Sequence, residues 1–133
     1  MKIKISFFLF LLFFTTIIAR PLDTLWTKTY GGNNSDVGRD VKQTIDGGYI
    51  FAGYTSSFGV TMNAYYLVKT DTRGDTLWTK IYDGRYRDEA YSVCQTSAKG
   101  YLITGWSSSY ASGRYLYTIK TDSLGDTVST RLY

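Results

Sequence analysis

The sequence predicts an all-β fold, and three observations carry that prediction. The first is a phrase that returns: DTLWTKTY at Asp23 to Tyr30, DTLWTKIY at Asp75 to Tyr82 and, with more changes, DTVSTRLY at Asp126 to Tyr133. The second is composition, since 13 Tyr, 7 Phe and 3 Trp stand against a single Pro, a bias that suits pleated, half-buried surfaces better than helices. The third is turn chemistry at matching places. In Asp71-Thr72-Arg73-Gly74 and Asp122-Ser123-Leu124-Gly125 the Asp bonds its own backbone and the Gly takes positive φ, which makes a tight hairpin.

Taken in order, the chain aligns with itself. Trp26 falls on Trp78, Tyr30 on Tyr82, Gly32 on Gly84, Asp36 on Asp88, Val41 on Val93, and Gly53 on Gly105. One residue then drops out, and Tyr66 and Lys69 meet Tyr117 and Lys120, a period of about 52 residues that signals solenoids or propellers. No 3.6-residue periodicity argues for helices. Within one unit four strands are predicted: Val37 to Thr44, Tyr49 to Ser56 with Gly53 marking a close backbone approach, Ala64 to Thr70, and Thr76 to Tyr82. Four antiparallel strands in a unit of this length make a β-propeller blade. The expected architecture is therefore two four-stranded antiparallel blades, 36–87 and 88–133, preceded by an orphan outer strand and loop at 20–35.

The first residues read as an address rather than as fold. Lys2 and Lys4 precede the apolar run Ile5 to Ala19, too short for a membrane span, so residues 1–19 are expected to be a signal peptide for a secreted or cell-surface protein. Its removal leaves 13 basic residues against 11 acidic, a mature net charge of +2. No Lys/Arg cluster runs along any segment, with Arg85 and Arg87 the closest approach, so nucleic acid is not an expected partner. Cys94 is the only cysteine and the chain has no His. It is expected to be a free thiol, neither a disulfide nor a nucleophile.

Together, DTLWTKIY, DGGYIFAGYTSS and YYLVKTDTRGD resemble the repeats of secreted bacterial β-propeller proteins of the SBBP type, across residues 23–133. The resemblance implies an extracellular adhesion, scaffold or binding module. The chain departs from that pattern in having only two blades, whereas propellers close with about four to eight. Its partners are thus expected to be other blades, supplied by a longer chain of which this is a fragment, the favoured reading, or by copies that assemble head to tail.

The search for chemistry yields little. Asp46, Asp71, Asp75, Asp122 and Asp126 all fall in turns where Asp is expected anyway, and Glu89 is the only glutamate. The loop Gly31 to Asp36, with Asp40, offers oxygen ligands for a hard cation, but the second copy puts Arg85 and Arg87 in the same place. Asp36 and Asp88 therefore read as loop anchors, and no metal, cofactor or catalytic group is expected. Four aromatics remain as candidate ligand platforms: Trp106 and Tyr110 beside a Ser-rich loop, and their counterparts Tyr54 and Phe58. Burial between blades is the favoured reading of all four. The expected function is a non-enzymatic interaction or scaffold module; the alternative is a small lectin-like protein that binds a glycan and oligomerises to close a ring.

Overall fold

The computed structural model describes residues 24–82, 84–110 and 113–133. The expected signal peptide, 1–19, lies outside the described residues. Eight strands follow one another: β1 (Asp36–Gln43), β2 (Tyr49–Thr55), β3 (Ala64–Thr70), β4 (Thr76–Tyr82), β5 (Asp88–Gln95), β6 (Tyr101–Ser107), β7 (Tyr115–Thr121) and β8 (Thr127–Leu132). They form two four-stranded sheets in the orders β1-β2-β3-β4 and β5-β6-β7-β8, with every pairing antiparallel. The fold is all-β with two propeller-blade-like sheets, as the repeat predicts. β3 and β4 have the predicted bounds. β1 ends one residue early because Thr44 turns its backbone into the hairpin, donating to Gly48 at 2.8 Å and accepting from Gly47 at 2.8 Å.

Each blade carries the same kink. The register of β1 against β2 shifts between Gly38 and Asp40, and that of β5 against β6 between Ala90 and Ser92. Opposite each bulge stands a glycine, Gly53 or Gly105, where a β-carbon would collide with the carbonyl of Val37 or Glu89.

The blades stack face to face. Directly opposed residues of antiparallel neighbours share a face. One face of the first blade thus presents Ile50, Ala52, Tyr65 and Leu67 to Ala90, Val93, Tyr101, Ile103, Tyr117 and Ile119 of the second, with Trp78 and Tyr82 packed at the margin. Polar groups fix the register of this joint. The Tyr65 hydroxyl donates to the Tyr117 carbonyl at 3.0 Å, and the Asp40 carboxylate accepts from the Val93 amide at 3.0 Å and the Ser92 hydroxyl at 2.9 Å.

The orphan segment is unpaired, as the sequence predicts. Residues 24–30 pair with no strand among the described residues, as an outer strand without the other three strands of its blade is expected to do. Their side chains nevertheless sit on the first blade as β4 sits on the second. Trp26 meets Tyr49 edge-on at 5.8 Å, Tyr30 donates to the Gly74 carbonyl at 2.8 Å, and Lys28 pairs with Asp75 at 2.9 Å. Trp78 meets Tyr101 edge-on at 5.8 Å, Tyr82 donates to the Gly125 carbonyl at 2.7 Å, and Lys80 pairs with Asp126 at 2.6 Å. The joint is repeated although the strand is not. Its seat needs the hairpin glycines: Gly74 and Gly125 have φ of 79° and 81°, and a side chain on either would run into Trp26 or Trp78.

Candidate functional site

The two ends of the stack differ. Four tight hairpins, between β1 and β2, β3 and β4, β5 and β6, and β7 and β8, close one end. The other end is built from the looser connections that enter β1 and β5 and that link β2 to β3 and β6 to β7. Aspartates tie these connections together. Asp36 accepts from the Gly32 amide at 2.8 Å, from the Ser57 hydroxyl at 2.9 Å and from the Thr55 hydroxyl. Burial works to raise its pKa, but the bonds from Thr55, Gly32 and Ser57 outweigh it and hold the carboxyl below its usual range. Asp88 repeats the anchor more loosely. It accepts from Ser109 at 2.8 Å, while its Oδ1 is buried without a partner. Both aspartates act as the loop anchors that the sequence predicts.

Between the loops of the second blade and the β2 to β3 connection of the first opens a cleft of about 570 Å³, lined by Met62, Arg85, Tyr86, Arg87, Ser108, Ser109, Tyr110 and Gly113. Tyr86 and Tyr110 are 55% and 57% exposed, so their rings face the opening. The Tyr110 hydroxyl bonds that of Tyr117 at 2.9 Å, and this bond, with burial adding to it, pushes its pKa up to about 12. It stays protonated at any physiological pH.

The four aromatics nominated from sequence do not gather into one site. Tyr54 is half-buried on the face turned to the second blade, with the Arg39 guanidinium 5.5 Å from its ring. Phe58, 55% exposed, packs on Tyr66 at 5.7 Å on the opposite face of the same sheet. Trp106 lies on the outward face of the second blade beneath Arg114, 4.4 Å from its ring centre. Only Tyr110 lines the cleft, 5.0 Å from the Tyr117 ring. Arg85, Tyr86 and Arg87 escape the sequence reading as site residues, since it takes the arginines as a reason against a cation and as too small a cluster for nucleic acid. Their signal is the replacement of Asn33-Asn34-Ser35 by Arg-Tyr-Arg in otherwise aligned loops.

A second candidate surface is the outward face of the second blade. Register places Cys94, Leu102, Lys120 and Ser129 in one row, and Ser92, Thr104, Thr118 and Arg131 in the next. The matching rows of the first blade are Lys42, Ile50, Lys69 and Trp78, and Asp40, Ala52, Leu67 and Lys80. Leu102 and Leu116 remain, 37% and 51% exposed, while Ala52, Leu67 and Trp78 give way to Thr104, Thr118 and Ser129. Cys94 is free and exposed on this face.

Among the described residues no three His, Cys, Asp or Glu side chains stand close enough together to hold a metal ion, and no helix is long and apolar enough to cross a membrane. In comparisons with known proteins, no family model matches the chain and no curated protein matches it.

Proposed function

We propose that the chain is a secreted, non-enzymatic interaction module of the propeller type, whose blades stack on further blades. The observation that carries this reading is the repeated joint. Residues 24–30 occupy the first blade with the three contacts that β4 makes on the second, so the stacking surface is used twice with one chemistry. The outward face of the second blade continues the same rows with Leu102 and Leu116 open. Its admixture of Thr, Ser, Lys and Arg suits a reversible contact, since obligate interfaces are more apolar. Light scattering over a concentration series tests this. The reading predicts self-association that Leu116→Asp removes without changing the circular dichroism, and a monomer at every concentration contradicts it.

A second reading, carbohydrate binding, is supported by one observation: the loop-end cleft, with two exposed phenol rings at its mouth and a volume suited to a small ligand. It is compatible with stacking, because cleft and outward face are separate surfaces.

A further inference from the structure

The cleft has an unusual inventory of hydrogen-bonding groups once those spent on the fold are set aside. The Ser108 hydroxyl donates to the Arg87 carbonyl at 2.9 Å, the Ser109 hydroxyl to Asp88 at 2.8 Å, and the Tyr110 hydroxyl is engaged with Tyr117. What remains are the guanidiniums of Arg85 and Arg87 and the phenol of Tyr86. All three side chains are exposed, and among the described residues no carboxylate stands within ion-pair distance of either arginine. The cleft thus offers cationic donors and aromatic faces, and its ligand must bring the acceptors.

The fold does not require these side chains. In the first blade the Asn34 amide donates to Ser57 Oγ at 2.9 Å and the Ser56 amide to the Ser35 carbonyl at 2.8 Å. In the second the Tyr86 amide donates to Ser109 Oγ at 2.9 Å and the Ser108 amide to the Arg87 carbonyl at 3.1 Å. The same backbone frame is built once with Asn-Asn-Ser and once with Arg-Tyr-Arg. The arginines serve something other than the loop.

We propose that this cleft binds an acidic saccharide, with Arg85 and Arg87 gripping a carboxylate or sulfate on the sugar and the rings of Tyr86 and Tyr110 flanking its apolar face. Guanidinium forks match planar oxyanions, and phenol rings suit the flat, weakly polar face of a sugar. The proposal rests on the carbohydrate-binding reading and sharpens its substrate class.

The test is calorimetric titration of the full chain with four probes: an oligogalacturonate, its methyl ester, a sulfated oligosaccharide and inorganic sulfate. Arg85→Asn with Arg87→Ser places at both arginine positions the residues of the first-blade loop, Asn33 and Ser35, and so has a precedent for folding. The expected result is binding of an acidic oligosaccharide that weakens with salt and falls roughly tenfold to a hundredfold in the double variant, with the methyl ester bound as weakly. Equal binding of the ester, indifferent to the arginines, overturns the anion site but leaves the carbohydrate reading standing. Arginine-dependent binding of inorganic sulfate with no saccharide bound overturns the saccharide, and no binding at all overturns both.

Discussion

Lys69 is nearly sealed from water, its side chain 4% exposed, and the Asp46 carboxylate at 2.9 Å and the Thr70 carbonyl at 2.8 Å answer its charge. Asp46 itself faces solvent. The Thr44 hydroxyl first, then the Lys69 ammonium, lowers its pKa to about 2. Because the folded value lies below the unfolded one, this contribution is fully present above about pH 4 and is lost as the pH falls through about 2. With the carboxylate 59% exposed, water screens the pair, and Asp46→Asn is expected to cost about 1 kcal/mol at neutral pH. The deficit relative to wild type should shrink to nothing near pH 2, as urea melts at the two pH values would register. Tyr65 is a different case, wholly buried, with its hydroxyl pushed far above its usual pKa by burial and bonded to Tyr117. Tyr65→Phe should cost about 1–2 kcal/mol in the same melts, independent of acid. Neither partner was legible in sequence. Asp46 has Ala98 as its counterpart and Lys120 in the second blade is exposed, so the pair is a property of the covered face and not of the repeat.

At the scale of elements the sequence was most informative, because hairpin and strand chemistry is local. Asp71 fulfils its turn role, accepting from the Arg73 amide at 2.8 Å and the Asp75 amide at 2.9 Å, and Asp122 does the same for Leu124 and Asp126. The segment 24–30 has the pattern of a strand but no ladder, because a strand needs hydrogen-bonded neighbours and those of its own blade are not among the described residues. DTLWTK encodes a stacking surface as well as a ladder, and only the first needs no hydrogen-bonded partner. Trp26→Ala and Trp78→Ala should therefore separate. Removing Trp78 opens the joint between blades and should cost about 3 kcal/mol of global stability. Removing Trp26 should leave the melt nearly unchanged but speed tryptic cleavage after Lys28 severalfold, because only the segment is released.

At the largest scale, the described residues form a stack of two sheets whose surfaces differ in kind. The joint between blades is aromatic, aliphatic and stitched at fixed points by Tyr65, Asp40 and Asn63, whose side-chain amide reaches Glu89 at 2.8 Å. The outward face keeps the spacing of that joint but substitutes hydroxyls where Ala52, Leu67 and Trp78 would repeat. The loop-end cleft was hidden from a sequence reading because it forms across three connections, β2 to β3 through Met62, β4 to β5 and β6 to β7, which alignment alone does not bring together. Stacking through the outward face is the central claim, and Cys94, exposed beside Leu102 in that face, is its built-in reporter. The decisive measurement is the rate at which a maleimide labels Cys94 as protein concentration rises. The account predicts a rate that slows with concentration and recovers in Leu116→Asp; a rate indifferent to concentration would contradict it.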